Sequence, residues 1–171
     1  MSILQDTYLT KWAEHGGIYP YNKDMVNPAS IDLRLHNKWM DYNTKNTITS
    51  DVITLYPNTY INRLLKRPYM LMIVTHEYLN IDTNVAGSIH LKTTPTRKGL
   101  GQIIGDWVDP GYSGRLTLLL YAHKKITLYY KQPICQLGLH ELQGIAEHSY
   151  KDTGHYMNQM NPSDGIAWDE K

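Results

Sequence analysis

The chain has 171 residues, 42% hydrophobic and 19% charged, which is enough apolar material for one packed core and too much for a disordered chain. Seventeen Lys and Arg against sixteen Asp and Glu give a formal charge of +1, which argues against a general nucleic-acid coat or a membrane-surface binder. The single cysteine, Cys135, excludes an intrachain disulfide and a multi-cysteine zinc site and points to a reducing, cytoplasmic compartment.

From the N-terminus, Ser2 to His15 reads as a helix. Ser2 can cap it, Ile3, Leu4, Tyr8, Leu9 and Trp12 form an apolar stripe, and Gly16-Gly17 stops it. No basic-then-apolar leader precedes it, and no apolar run approaches the roughly 20 residues of a membrane span. After Pro20 the period changes to two. Ile31-Asp32-Leu33-Arg34-Leu35 alternates strictly and predicts a strand with three aliphatics inward. Further strands are predicted at Val52 to Tyr56, Met70 to Thr75, Ser88 to Leu91, Arg115 to Tyr121, Ile126 to Tyr130 and Ile134 to Leu139. Turn signals such as Tyr56-Pro57-Asn58 and Asp109-Pro110-Gly111 separate them. Many short strands behind one helix mean an all-β sandwich or barrel. From Gln143 onward the chain is polar and without period, either a frayed end or an arm that orders over a ligand.

Several chemistries fail on residue inventory. A zinc nucleobase deaminase needs His-x-Glu with Pro-Cys-x-x-Cys, which one cysteine cannot supply. His76-Glu77 and His140-Glu141 do not extend to H-E-x-x-H, and there is no G-x-S-x-G, P-loop or G-x-G-x-x-G. Cys135 lies in an apolar strand, where an inert buried thiol is expected. Four stretches remain. Asp32 sits among the alternating aliphatics, and the loop from Leu91 to Leu100 carries Lys92, Arg97 and Lys98 with three hydroxyls, a composition suited to phosphate. Asp109 and Tyr112 flank a tight turn, and Tyr156 to Ser163 lies in the tail. Each alone also reads as a plain turn or solvated loop.

In order and spacing they resemble the dCTP deaminase and dUTPase superfamily. Asn27 to Leu35 resembles the deaminase element P-A-S-x-D-x-R-L. Asp109-Pro110-Gly111-Tyr112-Ser113-Gly114 resembles I-D-P-G-[WF]-x-G, Pro133 to Leu137 resembles the I-x-Q-L strand, and Tyr156 to Gln159 resembles the tail K-Y-x-x-Q. The resemblance implies an all-β distorted jelly-roll of the dUTPase-like β-clip type. Residues 1–145 would form a β domain with an N-terminal helix, and residues 146–171 an arm closing over the nucleotide site. It implies a homotrimer acting on a pyrimidine deoxynucleoside triphosphate, with Mg²⁺ carried by the triphosphate and no zinc, membrane or nucleic-acid polymer.

Residue by residue, the resemblance puts Lys92 and Thr93 at the phosphate-gripping pair, Gln136 and Gln159 at phosphate contacts, and Tyr112 against the deoxyribose. Asp109 stands at the water-activating carboxylate and Asp32 near metal and phosphates. A carboxylate that orients and deprotonates water, with cations offsetting phosphoryl charge, suits attack on an α-phosphorus. One departure is chemical: where the deaminase branch carries a proton-shuttling glutamate, this chain has Leu119, which cannot move a proton. Lys92 replaces an arginine, and Pro95 removes a backbone donor. The leading expectation is therefore a dUTPase-type pyrophosphohydrolase. The alternatives are a dCTP deaminase with a rearranged proton shuttle, and a non-catalytic nucleotide-binding or regulatory relative.

Overall fold

Antiparallel pairing organises almost the whole chain. The computed structural model describes residues 2–103 and 105–165. The strand Ser30–Asp41 is its centre, pairing with Pro133–Glu141 on one side and Met70–Thr75 on the other. Ile31, Leu33 and Leu35 are buried in the core, as their alternation predicts. The main sheet runs Leu100–Ile103, Thr117–Ala122, Met70–Thr75, Ser30–Asp41, Pro133–Glu141, Val85–Leu91, Trp107–Val108. Ser113–Gly114, Tyr78–Asn80 and Ile18–Tyr19 form a smaller sheet, and Val52–Leu55 pairs with Ile126–Tyr129. The fold is all-β, as expected. Among the described residues no helix is long and apolar enough to cross a membrane.

The front helix differs from expectation. It spans Asp6–Trp12 and continues into a wider turn, Ala13–Gly17. Ser2 and Ile3 are instead extended and pair with Glu141 and His140. The edge of the last strand offers backbone partners there, and Leu4 N–H donates to the Leu139 carbonyl at 2.9 Å. That edge outcompetes the first turn of a helix, which satisfies none of its own N–H groups. At the far end Gly17 lies against the Trp12 indole, where a Cβ would come within 2.1 Å of the ring.

The predicted strands appear with shifted ends. Arg115 and Leu116 leave the sheet ladder because other groups take their N–H donors: the Gln159 carbonyl at 2.8 Å and the Thr75 hydroxyl at 3.0 Å. The segment Thr93–Arg97, whose composition predicts a loop, forms a short helix with Pro95 buried in its first turn. A first-turn N–H has no intrahelical partner, so proline costs the helix nothing there.

Candidate active site

The Asp109 turn is built by its flanks. Trp107 and Val108 pair with Ser88 and Gly87, and Tyr112 N–H donates back to the Asp109 carbonyl at 3.2 Å. Gly111 adopts φ +85°, the left-handed region a side chain would disfavour. The turn drops Tyr112 into the core, where its O–H donates to the Arg115 carbonyl at 2.8 Å and its ring centroid lies 5.6 Å from that of Tyr150. Burial, then the neighbouring Tyr150 and Tyr78, pushes the Tyr112 phenol far above its ordinary range. Tyr112 is thus a neutral packing surface.

The segment after Ser149 folds over this turn. Ser149 and Asp152 form a reciprocal cap, and Tyr150 N–H donates to the Pro110 carbonyl at 2.8 Å. Further on, Asn158 N–H donates to the Ser113 carbonyl, and Gln159 bridges to Gly114 in parallel register. Gly114 permits that approach: a Cβ there would sit 2.7 Å from the Tyr112 hydroxyl and 3.1 Å from the Gln159 nitrogen. The two Gln159 amide hydrogens are shared among Thr117 Oγ1 (2.6 Å), Ser163 Oγ (2.8 Å) and the Asn161 carbonyl (2.9 Å). Lys45 pairs with Asp164 at 2.8 Å.

Turn and segment enclose a cavity of about 490 Å³ lined by Asp109, Tyr112, Thr117, Tyr150, Tyr156 and Gln159, among others. Asp109 is exposed, and its carboxylate has no hydrogen-bond partner among the described residues. Burial raises the Tyr150 phenol; the Tyr156 N–H opposes this, and the Asp109 charge adds to it. Sequence reading missed Thr117 and Tyr150, and named Tyr156 only as part of the tail motif, without a role. Aromatic residues in an otherwise polar tail were the available signal for the last two.

The other sequence-named residues lie elsewhere. Asp32, Lys92, Thr93 and Gln136 do not line that cavity. Asp32 is buried; Oδ1 accepts from Asn27 Nδ2 at 2.9 Å and Oδ2 pairs with the Lys92 ammonium. Gln136 stands opposite Asp32 and His90 in register, and its amide donates to Ser30 Oγ at 3.3 Å. Thr93 opens the short helix after Lys92, and Arg97, one of the bases of that loop, stands exposed at its end. Among the described residues no three His, Cys, Asp or Glu side chains converge. With both Asp32 oxygens partnered, the described residues group no cage for Mg²⁺.

Leu119 lies between Met72 and Ile103 on neighbouring strands, with no acid at either position. Cys135 is buried, and burial pushes its thiol far above the ordinary range. Glu77 is spent structurally, accepting from Arg34 Nε at 2.5 Å and the Arg34 N–H at 2.7 Å.

A family model described as dCTP deaminase-like matches residues 3–142. The "dCTP deaminase" of Thermococcus kodakarensis is 28% identical over 149 residues, covering 84% of this chain and 86% of that one. The "dCTP deaminase, dUMP-forming" of Methanospirillum hungatei is 26% identical over 179 residues, covering 92% and 91%. Among solved structures, the 2'-deoxycytidine 5'-triphosphate deaminase from Agrobacterium tumefaciens superposes with a TM-score of 0.64 at 17% identity, over 80% of this chain. The match spans 47% of that protein, and the likeness is one of fold.

Proposed function

This chain belongs to the dCTP deaminase-like family, and on that premise we propose that it binds dCTP in the cavity beneath its C-terminal arm and deaminates it to dUTP. The convergence of Asp109, Tyr112 and Gln159 on one cavity carries this reading, which replaces the dUTPase-type expectation because the relatives bear deaminase names. Hydrolytic deamination adds water at C4 of cytosine and expels ammonia, so a group must move a proton from the water to the base. Leu119 cannot do this. Asp109 is the unpartnered carboxylate of the cavity, whereas Asp164 is held by Lys45. Asp109 is therefore the proton carrier, Tyr112 the surface under the deoxyribose, and Gln159 a phosphate contact once it exchanges its present partners. The substrate is the magnesium complex of the triphosphate. Thr93 and Gln136 reach the phosphates from a neighbouring copy, beside the closed Asp32–Lys92 pair, in a homotrimer whose sites lie between subunits.

Leu119 favours a second reading at the same cavity. Asp109 would orient water onto the α-phosphorus, releasing pyrophosphate without touching the base. One experiment separates the two. Incubate the protein with each deoxynucleoside triphosphate and Mg²⁺ and follow ammonia, pyrophosphate and monophosphate. Ammonia from dCTP is the expected result. Pyrophosphate without ammonia replaces the first reading with the second, and neither product from any triphosphate overturns both.

A further inference from the structure

The net charge of +1 conceals a local excess. From Tyr56 to Tyr69 the chain carries Arg63, Lys66 and Arg67 and no carboxylate. All three cations line one groove of about 390 Å³ that shares no lining residue with the Asp109 cavity. Arg67 is held in place: its Nη1 donates to Asn62 Oδ1 at 3.3 Å, and its guanidinium stands 4.8 Å over the Tyr56 ring. The buried Asn62 is itself anchored to the Pro57 carbonyl at 2.9 Å. Among the described residues the side chains of Arg63 and Lys66 have no hydrogen-bond or ion-pair partner.

The facing wall is the turn after the long central strand. Its one carboxylate, Asp41, accepts the N–H groups of Asn43 (2.8 Å) and Thr44 (3.0 Å), so part of its charge is absorbed by the turn. Tyr69 O–H donates to Asn43 Oδ1 at 3.0 Å, which leaves the Asn43 amide hydrogens free. The Thr44 hydroxyl accepts from Asn46 N–H at 3.4 Å and keeps its own hydrogen to give. The groove thus sets three cations, an amide donor and a hydroxyl donor around one engaged acid, with the Tyr69 ring beside them.

Several donors around a small volume suit a multiply charged anion with many acceptor oxygens. We propose that this groove is a second anion site, distinct from the Asp109 cavity, and that it binds a polyphosphate, either free or as the phosphate chain of a nucleotide.

The test is calorimetric titration with tripolyphosphate and with ATP at about 0.15 M salt. The full-length parent is compared with full-length Arg63→Gln/Lys66→Gln. Both substituted side chains are exposed, so the fold is expected to survive, and circular dichroism checks it. A separate titration with dCTP reports the Asp109 cavity. The expected result is loss of one tripolyphosphate site in the double variant, about 100-fold in affinity, with dCTP binding the same in both proteins. ATP binding about tenfold tighter than tripolyphosphate at the site so removed assigns the groove to a nucleotide. Equal binding assigns it to the phosphate chain alone. No tripolyphosphate binding to the parent, or binding unchanged by the double substitution, overturns the proposal.

Discussion

The sheet cluster around Asp32 and the cavity around Asp109 carry similar groups in opposite states. In the first, the acid is buried, Asn27 and Lys92 take both its oxygens, and the Gln136 amide leans on Ser30. In the second, the acid is exposed and unpartnered, and the Gln159 amide is held by two hydroxyls and a carbonyl. Charge already neutralised inside the fold contributes to stability, and charge left open is available to a ligand. The difference ranks the two carboxylates, one as framework and one as reagent.

Asp109→Asn should have the largest effect, because it keeps the turn and removes the one unpartnered acid among the described residues lining the cavity. Turnover should fall by about 10²–10⁴ while triphosphate binding persists. Product formation under saturating substrate checks this, and an unchanged rate would make Asp109 a turn residue like any other.

Lys92→Met tests the framework side. It leaves a buried carboxylate with one neutral partner, at a cost of about 2–3 kcal/mol in urea unfolding. Adding Asp32→Leu should recover much of the loss, since both charges are then gone. If Lys92→Met leaves stability unchanged and weakens only triphosphate binding, the lysine is an open cation and the contrast collapses.

Acid should undo the framework side through two histidines. His36 and His76 stack with centroids 5.9 Å apart, and both are pushed down to about 4. Burial is the main cause, followed by Arg115 and Lys38 beside His36, and by Arg34, Lys131, His36 and Arg115 beside His76. An unfolded imidazole titrates near 6.5, so below that pH the unfolded chain takes up protons that the folded chain refuses. The stability is complete above 6.5 and drains away as pH falls toward 4. Urea midpoints at about pH 7 and about pH 5 should differ in that direction, and equal midpoints would mean the pair is already solvated.

The smallest effect is expected from Gln159→Ala. Its amide bonds are few and partly exposed, each worth about 1 kcal/mol or less, so the fold should be stable without them. Protease nicking between Tyr156 and Ser163 should nevertheless quicken. If nicking is unchanged, the arm is held by Tyr150 and Asn158 rather than by the glutamine.

The sequence made the period-two strand at Ile31 to Leu35 legible because its face choice is local. The Asp109-Pro110-Gly111 turn was legible for the same reason. Leu119 gained meaning only by resemblance, since a leucine in a strand is otherwise unremarked. The Lys92–Asp32 pair was hidden because its members are 60 positions apart, and Lys92 therefore read as a free phosphate cation. The helix at Thr93–Arg97 was hidden by its proline and threonines, poor helix formers in isolation. Ser2 and Ile3 became a strand because of an edge supplied by Glu141 and His140, which nothing near residue 2 announces. The groove at Arg63, Lys66 and Arg67 was lost in the whole-chain charge, where distant carboxylates cancel it on paper but not in space.

The central strand has a consequence for the newborn chain. Ser30, at its start, meets Gln136, which lies 106 positions later. On the ribosome, Ser30–Asp41 emerges long before Pro133–Glu141 exists to cover its edge. Synthesis proceeds at about 5–20 residues per second, so an aliphatic strand with unpaired backbone groups waits for seconds before its partner arrives. Closure across so long a loop is also slow in itself. Delayed production of the last third of the chain should therefore favour aggregates, and holding chaperones should raise the soluble yield more than any stabilising change on the finished surface.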